Sequence, residues 1–178
     1  GLCPEASALD RVVSETESSG GVFFVPALQG LGTPFIDDGA RGLFGGLTRG
    51  SDSKQLVRAA VEGVAQRCVD VITALAPQEG PLRADGGLAQ SRAMLGLIAD
   101  LSGREILRAR ETETTALGAA FLAALSVGLL GSPAEIHSRV EDPESFEPSL
   151  SSDARESARH QWARALSRCR DAPSERTG

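Results

Sequence analysis

The segment Leu82-Arg83-Ala84-Asp85-Gly86-Gly87-Leu88 holds the residues best suited to bind a ligand. A short extended run ends there in a Gly-Gly pair and passes into an apolar, helix-like stretch. Glycines at such a strand-to-helix turn permit positive φ and let a ligand approach the backbone closely. The first N–H groups of the following helix have no partner within it, and with the helix dipole they favour an anion. Phosphate or nucleotide binding is the chemistry this arrangement offers. A tight turn needed only for folding uses the same residues, and the spacing leaves both readings open. The segment is neither a P-loop nor a dinucleotide fingerprint, because no GK[ST] follows and no GxGxxG is present.

A second glycine-rich run, PALQGLGTP over residues 26–34, either lines a cleft or shapes an ordered loop. Asp37, Asp38 and Arg41 beside it read as a local ion pair rather than an active constellation. No Ser/His/Asp order, acid pair or Cys/His dyad stands out. His137 and His160 lack a ligand-spaced partner, and no metal site is expected from them. Cys3, Cys68 and Cys169 are odd in number and without CxxC spacing, so they form no disulfide framework. Cys68 reads as a small core residue.

The elements that must position the Gly-Gly turn follow from periodicity. Residues 1–20 read as a partly ordered, partly helical entry. Residues 22–28 read as a strand, residues 29–41 as a loop and residues 43–47 as a short extended segment. Asp52 and Gln55 imitate a capping box opening a long helix. Its face is marked by Val57, Val61, Val64, Cys68, Val71 and Leu75, and Pro77 and Gly80 end it. A strand over 82–85 and a helix over 88–101 flank the turn, and Gly103 stops that helix. A strand over 105–108 leads to an all-apolar helix over 114–130, expected to be buried. Ser132-Pro133 opens a short helix, and residues 141–150 read as an acidic connector. The last helix, over 153–170, turns Ala158, Trp162, Ala165, Leu166 and Cys169 inward. The tail over 173–178 is expected to fray. Alternating strands and helices of these lengths define an α/β class.

The chain has 178 residues, 41% hydrophobic and 24% charged, with 20 Gly and 9 Pro. That is one domain's worth of a globular protein, and it excludes collagen-like, coiled-coil and wholly disordered chains. A net charge of −6 and a pI near 5.0 argue against nucleic acid or an anionic membrane as partner. No leader-like segment is read at the start, and the apolar run over 116–130 falls short of the ~20 residues that span a bilayer. A cytoplasmic location is expected.

Beyond pattern, several ordered motifs resemble the C-terminal domain of the FGGY carbohydrate kinases, and within them the glycerol kinases. They are VFFVPALQGLGTPF over 22–35, ARG over 40–42 and GGLTRG over 45–50. Gly46, Leu47, Gln55, Leu56, Ala59 and Glu62 follow that family's second signature. LRADGG over 82–87, ETTALGAA over 113–120, and Phe146, Pro148, Arg155, Trp162 and Ala165 continue the match through residues 20–170. Departures include Leu28, Gln29, Ile36 and Gly39, and the absence of tyrosine.

The resemblance implies the C-terminal portion of an actin-like, ribonuclease-H-like ATPase domain, over residues 21–172 and incomplete on its N-terminal side. It implies ATP as cofactor, Mg²⁺ with ligands outside this chain, and glycerol or a related polyol as substrate of the complete protein. A homo-oligomer is also implied. Asp85-Gly86-Gly87 becomes the adenosine motif. Gly86 and Gly87 become cofactor-binding residues, with the Gly87 N–H near the α-phosphate. Ser91 falls where glycerol kinases place an Asn beside the adenine. The family's catalytic Asp and phosphate-binding turns precede the matched region, so no catalytic or metal-binding residue is carried onto this chain. The expected activity is that of the C-terminal part of an ATP-dependent glycerol kinase, inactive alone. A non-catalytic kinase-like module and a sugar kinase such as xylulokinase are the alternatives.

Overall fold

Helix α2 (Ser53–Leu75) organises the chain, because other elements pack on two of its sides. The computed structural model describes residues 8–75, 80–111, 113–137 and 142–170. The capping box forms as expected. Asp52 Oδ1 accepts from the Gln55 N–H at 2.8 Å, and Gln55 Oε1 accepts from the Asp52 N–H at 3.1 Å.

The buried residues of α2 are not a single stripe. Val57 and Val61 are buried as expected, Val64, Cys68 and Val71 are half-buried, and Leu75 is 71% exposed. Small residues carry the rest of the burial: Ala59, Gly63 and Ala65. A Cβ on Gly63 would stand 2.0 Å from the Phe24 carbonyl oxygen. Strand β1 (Phe23–Val25) therefore crosses α2 at a contact that only glycine permits. Large-residue periodicity tracks one face and misses such a second one.

Two cores result. Val61, Ala65 and Val69 of α2 join Val13 of α1 (Leu9–Glu15) and Met94, Leu95, Ile98 and Leu101 of α3 (Arg92–Ser102). Each large aliphatic side chain buried this way contributes about 1.5–3 kcal/mol. The second core places Val25, Ala27, Leu31 and Ala40 against Trp162, Ala165, Leu166 and Cys169 of α6 (Ser152–Arg170). The inward face expected for α6 is thus observed, with Ala158 packed on the first core.

Strand β1 pairs antiparallel with β2 (Leu43–Gly45), and the Phe24 and Phe44 rings stack at 4.4 Å. The second sheet has the order β3-β4-β5. Strands β3 (Leu82–Ala84) and β4 (Ile106–Arg108) run parallel with α3 between them in sequence, which is the α/β unit expected. Strand β5 (Glu144–Phe146) adds antiparallel to β4. The sequence reads as a connector there because Glu-Ser-Phe beside Pro143 shows no alternation. Burial of Phe146 in the first core fixes the pairing instead.

One expectation fails outright. Helix α4 (Thr114–Ser126) is as apolar as expected but has no buried residue, Val127 and Leu129 are 70% and 77% exposed, and only Leu130 at the end of the expected span is buried. Apolarity sets how much a face gains on being covered, not what covers it. Among the described residues, both cores are filled without any residue of α4. Helix α5 (Ala134–His137) follows it, opened by Ser132 and Pro133. Pro77, Cys3 and the tail over 173–178 lie outside the described residues.

A buried polar knot joins α2 to α6. Asp70, 4% exposed, accepts from Arg67 Nη1 at 2.8 Å, Arg159 Nη2 at 2.5 Å and Trp162 Nε1 at 3.0 Å. A buried carboxylate is tolerated because charged donors and an indole N–H replace its water.

Candidate functional site

Strand β3 delivers the chain to Asp85-Gly86-Gly87 at the end of the parallel pair. Gly86 has φ 88° and ψ −179°, a backbone region that is essentially closed to residues with a Cβ. Gly87 differs. Its φ is not positive, and a Cβ built on it meets nothing within 4 Å. Folding therefore demands glycine at 86, whereas at 87 it leaves open space over the backbone.

The sequence reading expected one helix from residue 88. Instead a 3-10 turn covers Gly87–Gln90, and α3 begins only at Arg92. The break comes from Ser91, whose hydroxyl accepts from the Met94 N–H at 3.1 Å and so caps α3. Ala89 N–H donates to the Gly86 carbonyl and Ser91 N–H to the Leu88 carbonyl, each at 3.2 Å. Among the described residues, the Gly87 and Leu88 N–H groups take no acceptor from the chain. They are free donors beside the space over Gly87.

Three contacts from distant elements hold this turn, and none is legible in the local sequence. Arg108, at the end of β4, donates from Nη1 to the Ala89 and Gln90 carbonyls at 3.2 Å each. Its Nη2 pairs with Glu144 of β5, which also pairs with Arg92. Both guanidinium groups lie over the Phe146 ring, at 5.2 Å for Arg92 and 5.5 Å for Arg108. Thr114, opening α4, donates to Asp85 Oδ2. Asp10 of α1 accepts from the Ser91 hydroxyl through Oδ1 and from the Arg92 N–H through Oδ2, the latter at 2.9 Å. Of these residues, Asp85, Ser91, Thr114 and Phe146 are among those quoted from the sequence. Asp10 carries no sequence signal for a partner 81 positions away.

The other glycine-rich loop is structural. Asp37 Oδ1 accepts from the Gly39 and Ala40 N–H groups at 3.0 and 3.1 Å, and Arg41 donates to the Asp38 and Ala40 carbonyls at 2.8 Å. The ion pair expected with Arg41 is replaced by backbone contacts, and Asp37 faces Arg170 at 3.7 Å. Cys169 donates its thiol proton to the Arg41 carbonyl at 2.9 Å. Burial pushes both Cys68 and Cys169 up from the ordinary thiol value, so neither is an activated nucleophile. His160 is exposed, 4.0 Å from Glu156. Among the described residues no three His, Cys, Asp or Glu side chains converge as a metal site. None of their helices is long and apolar enough to cross a membrane. A cleft of about 260 Å³ between residues 18–24, α2 and α6 is lined by none of the turn residues.

The chain is similar to known kinases. Residues 4–127 match the C-terminal domain of the FGGY family of carbohydrate kinases, and the chain belongs to that family. Similar curated relatives are glycerol kinases. The one from Shewanella woodyi is 39% identical over 171 residues, and the one from Citrifermentans bemidjiense is 42% identical over 170 residues. These alignments cover 94% and 93% of this chain but 34% of each relative, so the chain spans about a third of their length. A solved glycerol kinase from Plasmodium falciparum, determined with ADP, aligns over 94% of this chain and 34% of its own, with 28% identity and a TM-score of 0.87. A xylulose kinase from Rhodospirillum rubrum aligns with a TM-score of 0.68 at 26% identity, over 93% of this chain and 34% of its own. The fold is the C-terminal portion of an actin-like, ribonuclease-H-like ATPase domain, as the motifs implied.

Proposed function

We propose that this chain is the C-terminal, nucleotide-binding part of an ATP-dependent glycerol kinase, which transfers the γ-phosphoryl of ATP to glycerol and yields ADP and glycerol 3-phosphate. In this reading residues 21–172 are one wall of the nucleotide site, and Gly86, Gly87 and Ser91 contact ATP. The observation that carries it is the turn itself: two free N–H groups beside Gly87, where a Cβ would meet nothing within 4 Å. Free amide donors at a strand-to-helix turn complement phosphate oxygens. The glycerol kinase relatives supply the substrate class, and the higher TM-score to a glycerol kinase than to a xylulose kinase favours glycerol.

In the complete protein, residues outside this chain would hold Mg²⁺, which would supply charge neutralisation at the transferring phosphoryl group. What this chain's own residues do is hold the nucleotide. Asp85, Arg108 and Asp10 keep the turn in place while the Gly87 and Leu88 N–H groups offer themselves to the phosphates. The compartment fitting this reading is the cytoplasm, where ATP is abundant.

Calorimetry with ADP or ATP tests the nucleotide site, and weak binding is expected. A glycerol phosphorylation assay tests the division of labour. Turnover by this chain alone would contradict the view that the catalytic groups lie elsewhere.

A further inference from the structure

We infer that the exposed face of α6 holds a second, smaller anion site, which takes a phosphate monoester between Arg164 and Arg168. It lies apart from the Gly-Gly turn and stands independently of the nucleotide reading. Gln161, Arg164, Ala165 and Arg168 line a hollow of about 180 Å³ together with Gly21 and Phe23. Spacings of three, four and seven put Gln161, Arg164 and Arg168 on one side of the helix. Ala165, 3% exposed, lies among these longer side chains, and its short side chain leaves the hollow open.

The other arginines of α6 are committed. Arg159 pairs with Asp70, Arg170 faces Asp37, and Arg155 donates to the Asp100 and Leu150 carbonyls. Among the described residues, Arg164 and Arg168 have neither a carboxylate nor a carbonyl as partner. The helix dipole favours cations in the last turn, which accounts for Arg168 but not for Arg164. Like charges four positions apart on a helix repel, and an anion between them removes that cost. Arg168 is already placed, since its guanidinium lies 5.7 Å over the Phe23 ring. A stacked, planar guanidinium loses little freedom on binding and offers a fork of N–H groups that matches a phosphate.

The rest of the hollow donates as well. Gln161 brings a side-chain amide. Gly21, at φ 84°, exposes its backbone, and among the described residues its N–H takes no acceptor. The nearby carboxylates do not compete. Asp153 and Glu156 line a separate hollow that shares only Gln161 and Arg164 with this one, and Glu62 in the adjoining cleft is paired with Arg58.

Volume sets the ligand. At about 30 Å³ per water, the hollow holds about six waters. That suits a phosphate group carrying a few carbons and falls below the ~300–1,000 Å³ of pockets for larger ligands. A nucleotide is too large for it.

The test titrates glycerol 3-phosphate and inorganic phosphate separately into the isotope-labelled chain at constant ionic strength. Amide shifts locate the binding, which matters because a phosphate also suits the Gly-Gly turn. Saturable shifts at Gly21, Gln161, Arg164 and Arg168 are expected, with the monoester binding more tightly because its carbons reach the Phe23 ring. Arg164→Gln and Arg168→Gln each remove a charged hydrogen bond and are expected to weaken binding about tenfold or more. Both side chains are exposed, so both variants are expected to melt close to wild type. Wild-type affinity in either variant overturns the inference, as does a wild-type chain with no saturable shift at these residues. Equal or weaker binding of the monoester overturns its assignment as the ligand. Shifts confined to residues 86–88 overturn the site and leave the nucleotide reading standing.

Discussion

Two adjacent glycines give the same substitution opposite consequences. Gly86 sits at φ 88° and ψ −179°, where a side chain costs about 1–3 kcal/mol. A chain of this size loses about 2–4 °C in Tm per kcal/mol, so Gly86→Ala is expected to melt roughly 2–12 °C below wild type. Gly87 has ordinary φ, and an added Cβ meets nothing within 4 Å. Gly87→Ala therefore adds no strain and reduces the freedom of the unfolded chain, which stabilises by up to about 1 kcal/mol. Gly87→Val places branched carbons in the same open space and is expected to melt within a few degrees of wild type. If a phosphate occupies that space, valine displaces it, and ADP affinity falls at least about tenfold, or 1.4 kcal/mol. Thermal melts followed by circular dichroism read the first effect, and calorimetry reads the second. A Gly87→Val chain that folds and binds ADP as well as wild type would refute the placement of the nucleotide.

Other consequences follow from the packing. Asp70→Ala leaves Arg67, Arg159 and the Trp162 N–H without their shared acceptor, and is expected to cost about 3–5 kcal/mol in denaturant unfolding. A loss under 1 kcal/mol would mean the α2–α6 knot does not hold the fold. Leu122→Glu on α4, at a side chain 69% exposed, is expected to change stability by no more than about 0.5 kcal/mol. A large loss there would show that α4 is covered. Burial raises the Cys169 and Cys68 thiols above their ordinary value, opposed at Cys169 by its bond to Arg41 and at Cys68 by the Arg67 charge. A raised thiol favours the folded state below the ordinary value, and that contribution is lost as pH climbs through the raised one. Tm is expected to fall on the alkaline side, less so in Cys169→Ala, with melts across pH as the measurement.

The fold was legible wherever one element's own residues decide it. The Asp52–Gln55 box, Gly103 in the left-handed conformation at φ 68°, and the inward face of α6 follow from local spacing. Strands came out shorter than their apolar runs, because pairing ends where the partner strand does. Residues 22–28 read as a strand, yet β1 pairs only at Phe23–Val25 against Leu43–Gly45. Strand β5 and the exposed α4 were misread for the same reason: their fate depends on what lies opposite. At the site, the Gly-Gly turn was visible in the sequence. Its support was not, since Asp10 and Arg108 reach it only through the tertiary fold. Ser91 was singled out as a ligand contact, and its capping of α3 and its bond to Asp10 emerge only in three dimensions.

The proposed nucleotide site over residues 85–92 is tested most directly by amide chemical-shift mapping, with ADP titrated into the isotope-labelled chain. The expected result is a saturable set of shifts centred on Gly86, Gly87 and Leu88 and extending to Ser91 and Arg92. Shifts gathered instead around the cleft between Phe24, Gly63 and Trp162, or none at millimolar ADP, would contradict it.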